Sequence, residues 1–132
     1  MDENSAGTAS YDWVVLVDGN SACHATTATV FTNTRWRPLM VCDTLDGLCA
    51  VVEREPAVVL LDEACIPLDP WQFSLLLKGH PRYRDTRILV MCKRIDIVLR
   101  ARARAARVDG LLQKPFASDE VLALLERQEC AA

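Results

Sequence analysis

Pro56-Ala57-Val58-Val59-Leu60-Leu61-Asp62-Glu63 is the stretch that decides the fold. A strand with one wet face alternates apolar and polar residues. This run does not alternate, so both of its faces must be covered, as in a parallel sheet. Pro56 stops whatever precedes it, and the run ends in acid. The same grammar recurs on either side. Val14-Val15-Leu16-Val17 is unbroken and ends at Asp18-Gly19-Asn20. Ile88-Leu89-Val90-Met91 is followed by Cys92 and Lys93. Leu39 to Cys42 and Leu111-Leu112 are shorter runs, the latter followed by Lys114-Pro115.

Amphipathic stretches fill the gaps. Cys23, Thr27, Val30 and Phe31 mark a helix from Ser21 to about Asn33. Leu45, Leu48, Cys49 and Val52 follow the i, i+3, i+4, i+7 rule for an apolar helix face. Asp69, Pro70 and Gln72 form an N-cap, first-turn proline and capping box. Phe73, Leu76 and Leu77 give that helix its expected buried face. Ile95, Val98 and Leu99 open an arginine- and alanine-rich helix ending near Asp109-Gly110, and Val121, Leu124 and Leu125 mark the last one. Five strand–helix units imply an α/β parallel sheet with helices on both faces. Right-handed crossovers place every strand's carboxyl end on one edge, where ligands of such sheets bind.

A length of 132 residues suits one domain, and a 51% hydrophobic content supplies a core. With 25% charged residues the composition is not that of a disordered chain. No apolar run approaches the ~20 residues that span a bilayer. Residues 1–10 are small and polar without the pattern of a secretory signal, so a disordered tail is expected. The six cysteines include no CxxC pair, which favours reduced thiols in the cytoplasm, most of them buried as small hydrophobes. Net charge is −3, yet ten of the fifteen basic residues lie between Lys78 and Arg107 against only Asp85 and Asp96. That segment is +8 and the remainder −11, which points to a charged partner.

The strand ends bring Asp18, Asp62, Cys92, Lys93 and Lys114 to one pocket. Carboxylates are hard oxygen ligands for a divalent cation. A carboxylate can accept a phosphoryl group, and Lys114 can balance the charge of the acyl phosphate. Phosphoryl transfer needs mainly positioning and neutralisation, so few residues suffice. Any one of these acids alone would be an ordinary cap or loop residue.

Val-Leu-Val-Asp (15–18), Val-Val-Leu-Leu-Asp (58–62) and Gly-Leu-Leu-Gln-Lys-Pro-Phe (110–116), with steps of 44, 30 and 22 residues from Asp18 through Asp62 and Cys92 to Lys114, resemble the CheY-like receiver domains of two-component response regulators. The resemblance covers roughly Tyr11 to Gln128. It implies a flavodoxin-like (βα)5 fold, an open five-stranded sheet of order 2-1-3-4-5, with the receiver domain at 11–129. It further implies Asp62 as phosphoacceptor, Lys114 as the phosphate-contacting lysine, and Cys92 at the position of the usual Ser or Thr. Mg2+ would be held by Asp18, Asp62 and the backbone carbonyl of Ala64. The lysine–proline bond is usually cis in this family. Between Cys92 and Phe116 the chain also looks somewhat like the small regulators of type IV pilus twitching motility.

Several residues depart from that pattern. Gly19 stands where a second acid, a direct Mg2+ ligand, is usual; metal binding should therefore be weak, with Asn20 and Glu63 the candidates to compensate. Cys92 is a poor hydrogen-bond donor in place of a hydroxyl. Lys93 replaces a small residue, and its ammonium either reaches Asp62, imitating or blocking the metal, or points to solvent. Leu111 replaces the switch aromatic, while after the third strand the usual proline is displaced to Pro67 and the usual glycine before the third helix is Pro70. The expected function is phosphorelay signalling: a histidine kinase or phosphotransfer protein donates to Asp62, and the domain, not itself an enzyme, acts by binding a downstream protein. The alternative is a pseudo-receiver that binds partners without phosphorylation. A third reading, a flavodoxin-fold cofactor binder, would need a phosphate-cradling loop at Asp18-Gly19-Asn20. Arg100, Arg102, Arg104 and Arg107 make the expected docking face. Nucleic acid is not an expected partner, since no aromatic residues interleave with the arginines and no DNA-binding motif is present, and no membrane is expected for want of a long apolar run. Cys23-His24 lacks the further ligands of a metal site, His80 reads as a loop residue, and Trp13, Trp36 and Trp71 read as packing residues.

Overall fold

The computed structural model describes residues 12–130, with side chains through Glu126. The tail expected over residues 1–10 lies outside the described residues. The elements run β1 (Asp12–Val17), α1 (Ser21–Ala28), a 3-10 turn (Thr29–Phe31), β2 (Trp36–Val41), α2 (Thr44–Arg54), β3 (Val58–Asp62), α3 (Pro70–Lys78), β4 (Arg87–Cys92), α4 (Ile97–Ala105), β5 (Gly110–Gln113) and α5 (Ser118–Cys130). All strand pairs are parallel and the order is β2-β1-β3-β4-β5, the 2-1-3-4-5 order expected. The chain therefore has the flavodoxin-like fold.

Alternate residues of each strand feed opposite layers. Val14, Leu16, Val58, Leu60, Leu89 and Met91 join Val30 and Phe31 after α1 and Val121 and Leu125 of α5. Val15, Val17, Val59, Leu61 and Ile88 join Ala50 and Val51 of α2 and Phe73 and Leu77 of α3. This is why the strand runs are unbroken: neither face meets water. A fully buried Leu or Phe in such a layer contributes about 1.5–3 kcal/mol relative to an exposed one. Strand β2 is an edge, and Pro38 there removes one donor from the open side.

The helix faces correct the periodicity reading. On α2 the buried residues are Thr44, Gly47, Ala50 and Val51, while Leu45, Cys49 and Val52 face solvent. Close approach explains the rotation. A Cβ on Gly47 would lie 3.0 Å from Val17 Cγ2 and 3.3 Å from Phe73 Cε2, so the small residues turn inward. Thr44 is buried because its hydroxyl accepts the Leu68 amide at 2.8 Å, and its own amide donates to the Ile66 carbonyl at 2.9 Å. On α3, Ser74 is buried in place of Leu76, since its hydroxyl donates to the Ala106 carbonyl at 2.8 Å. On α4, Leu99 and Ala103 face inward and Val98 faces out. The α3 cap forms as expected: Asp69 accepts the Gln72 amide, Gln72 reaches back to the Asp69 amide, and Pro70 opens the helix.

Candidate functional site

Strand ends β1, β3 and β5 deliver three side chains to one point. Asp18 follows β1, and its amide still donates to the Val41 carbonyl, so the residue is held by the sheet. Asp62 is the last residue of β3, paired with Met91. Lys114 follows β5, its amide bonded to the Cys92 carbonyl at 2.8 Å, and its bond to Pro115 is cis, as expected. The Lys114 ammonium donates to Asp18 Oδ2 at 3.0 Å and to Asp62 Oδ1 at 2.8 Å.

The remaining carboxylate oxygens are also engaged. Asp18 Oδ1 accepts the Asn20 amide at 3.0 Å and Asp62 Oδ2 accepts the Ala64 amide at 3.0 Å. Burial opposes the charge of Lys114, but its hydrogen bonds to Asp62 and Asp18 prevail and hold its pKa above the ordinary value. Accessibility separates the two acids. The Asp62 side chain is 19% exposed and the Asp18 side chain 6%. Asp62 is therefore the more accessible of the two carboxylates.

These residues open onto a groove of about 570 Å³, lined by Asp18, Asp62, Lys93 and Lys114 and also by Thr27, Val30 and Phe116. Two carboxylates thus share the groove with two ammonium groups, and Lys93 keeps its side chain largely in solvent. Cys92 is buried, and its thiol donates to the Leu112 carbonyl at 3.4 Å. Burial, then the negative charges of Glu63 and Asp62, push its pKa up to about 11. The thiol is therefore neutral and bonded to backbone.

Each of the two candidates to replace the missing acid has one side-chain oxygen already bonded. Asn20 caps α1 through the Ala22 amide at 3.0 Å, and Glu63 accepts the Lys93 amide at 2.8 Å. The Cys23 amide is bonded to the Asn20 carbonyl, so two of the first amides of α1, those of Ala22 and Cys23, are already taken by Asn20. Among the described residues, no group of three or more His, Cys, Asp or Glu side chains could hold a metal. Mg2+ is often held through one or two carboxylates with waters completing the shell, and Asp18 with Asp62 meets that smaller requirement.

Some of the remaining expectations are borne out and others corrected. His24 Nε2 lies 2.6 Å from the Asp18 carbonyl oxygen. A carbonyl only accepts, so Nε2–H donates, and His24 braces the loop that carries Asp18; sequence spacing gave no sign of this. Cys23, Cys42, Cys49, Cys65 and Cys92 are free thiols, but Cys42 and Cys49 are exposed rather than buried. His80 is a surface residue, accepting the Arg82 amide at 3.1 Å. Trp36 is buried, and Arg37 and Arg54 stack on Trp13 at 5.1 and 4.8 Å, consistent with packing roles.

The basic segment is smaller than its count. Lys78 is nearly buried against Asp109 at 2.6 Å, Arg82 pairs with Glu55 at 2.8 Å, and Arg87 donates to the Leu125 carbonyl. Arg100, Arg102, Arg104 and Arg107 remain exposed on and beside α4, with Arg102 over Trp71 at 5.9 Å. No helix of the described residues is long and apolar enough to cross a membrane.

No protein-family model matches the chain. It is 21% identical over 113 residues to Protein PilG of Pseudomonas aeruginosa, covering 86% of this chain and 84% of PilG. Among solved structures it is similar to the chemotaxis response regulator CheY4 of Vibrio cholerae, with a TM-score of 0.80 at 18% identity over 89% of this chain and 98% of that one. It is also similar to the receiver domain of sensor histidine kinase PA1611 from Pseudomonas aeruginosa, whose active-site cleft coordinates a magnesium ion, with a TM-score of 0.78 at 18% identity over 89% and 96% of the two chains. The strand order, the strand-end acids and these likenesses agree: the chain has the fold of the CheY-like receiver domains of response regulators.

Proposed function

We propose that residues 11–129 form a receiver domain that accepts a phosphoryl group on Asp62 in a phosphorelay. One observation carries this reading: a single ammonium, Lys114, is bonded both to the reachable carboxylate of Asp62 and to the buried carboxylate of Asp18. An Asp62 oxygen attacks phosphorus, the bond from phosphorus to the donor's leaving group breaks, and that group departs with the electron pair. Lys114 then faces the acyl phosphate oxygens, where a fixed positive charge stabilises the charge that develops. Asp18, Asp62 and the Ala64 carbonyl would hold Mg2+, which when bound supplies further neutralisation of the phosphoryl oxygens. Weak binding is expected because Gly19 adds no carboxylate to these two acids.

The donor is a histidine kinase or phosphotransfer protein in the cytoplasm. Output is by protein binding, through the arginines of α4 and the exposed Ile97 and Val98 beside them. Intact mass after incubation with acetyl phosphate and Mg2+ tests the reading. A phosphoryl adduct on the natural protein that is absent from Asp62→Asn supports it; no adduct on either rejects it.

A second reading, a pseudo-receiver that binds partners without phosphorylation, is favoured by one feature. The Cys92 thiol is bonded to the Leu112 carbonyl, where the usual hydroxyl would serve the phosphoryl group.

A further inference from the structure

The four residues that connect β4 to α4, Lys93 to Asp96, are held from both sides by side chains of the neighbouring strand ends. The Lys93 amide donates to Glu63 Oε1 at 2.8 Å, from the end of β3. The Ile95 amide donates to Gln113 Oε1 at 3.0 Å, from the end of β5. Glu63 is itself fixed, its amide donating to the Met91 carbonyl at 2.9 Å. Asp96 then caps α4 through the Leu99 amide at 2.8 Å. Each acceptor is the chain neighbour of a pocket residue: Glu63 follows Asp62 and Gln113 precedes Lys114. The pocket residues face the groove, while their neighbours reach sideways to the connection.

None of these bonds has Asp62 as a partner. The Cys92 thiol, at the root of the connection, is likewise bonded to the Leu112 carbonyl. The Lys93 and Ile95 amides, already bonded, gain no further hydrogen bond by moving towards a phosphoryl oxygen, and would lose their bonds on leaving their place.

We propose that Glu63 and Gln113 clasp the β4–α4 connection in one arrangement, so that Lys93 and the arginine face of α4 are displayed in the same way whether or not Asp62 carries a phosphoryl group. The clause about Asp62 rests on the proposed phosphoryl-accepting role; the clasp itself does not.

Amide hydrogen exchange of the 15N-labelled protein tests this. Lys93 is exposed and Ile95 half-buried, so without acceptors their amides would exchange quickly. The clasp slows each by about tenfold or more, the worth of a hydrogen bond to a fixed acceptor. Glu63→Ala should release Lys93 alone and Gln113→Ala should release Ile95 alone. Glu63→Gln, which keeps an Oε1 acceptor, should restore the protection of Lys93. Fast exchange of both amides in the natural protein overturns the proposal. The measurement is repeated with acetyl phosphate and Mg2+, with intact mass recorded on the same sample. An adduct with unchanged protection supports the proposal, and an adduct that releases either amide overturns it. If no adduct forms, the phosphoryl-accepting role fails, and protection lost residue by residue in the variants still establishes the clasp.

Discussion

Lys114 donates a 3.0 Å hydrogen bond to Asp18 across 96 residues of chain. The same ammonium serves Asp62, so one cation prevents two partly buried carboxylates from repelling each other. Lys114→Met should lower stability in urea unfolding by about 1–3 kcal/mol, the range for removing a charged partner from groups away from water. Mg2+ should recover part of that loss, because the divalent ion restores positive charge between the acids. No loss of stability would show that the pair carries no weight in the fold.

Gly19 is not there for want of space. A Cβ at this position would meet nothing closer than the Cys42 carbonyl oxygen at 3.7 Å, an ordinary contact. Gly19→Asp should therefore fold, and calorimetric titration should show Mg2+ affinity raised on the order of tenfold by the added carboxylate. Without Mg2+ the variant should be less stable than the natural protein, since three acids would then crowd one ammonium. Unchanged Mg2+ affinity would reject the proposal that Gly19 weakens Mg2+ binding.

Cysteine ionisation gives a pH signature. Burial, then the charge of Asp62, pushes Cys65 up to about 12, while burial and then the charge of Glu63 push Cys92 up to about 11. Both ordinarily ionise near 9.0, so between those limits the folded protein keeps protons that the unfolded chain releases. This stability is complete below pH 9.0 and drains away as pH climbs through about 11 and then about 12. The raised Lys114 acts in the same direction, its contribution lost only as pH passes the raised value. Unfolding midpoints measured from pH 8 to pH 11 should fall, and Cys92→Ser should flatten part of the fall. At pH 8, iodoacetamide should label Cys42 and Cys49 well before Cys65 and Cys92, as peptide mapping would record.

The orientation of α2 can be checked by substitutions at two positions, Gly47 and Leu45. Gly47→Val should destabilise by roughly 1–3 kcal/mol through overpacking against Val17 and Phe73. Leu45→Gln should change stability by less than about 0.5 kcal/mol, because Leu45 is 55% exposed. The reverse ranking would mean that the helix sits with its leucines inward.

The sequence by itself determined the strands, their parallel arrangement and the edge where the polar residues gather. Those signals are local: an unbroken Val-Val-Leu-Leu run needs two covered faces, and an acid at its end marks the carboxyl edge. It also placed Asp18, Asp62 and Lys114 on that edge, because strands that all run parallel end on the same side of the sheet. Tertiary structure alone decided how these residues meet, and what their neighbours do. A 3.6-residue period identifies an apolar stripe, but the close approach of Gly47 to Val17 selected which residues of α2 face the sheet. Nothing in the spacing of Glu63, His24 or Gln113 shows that their polar atoms hold the backbone of Lys93, Asp18 and Ile95. Apolar burial leaves its record along the chain as a pattern, whereas a hydrogen bond depends on where two groups far apart in sequence come to rest, and only the folded chain fixes that distance.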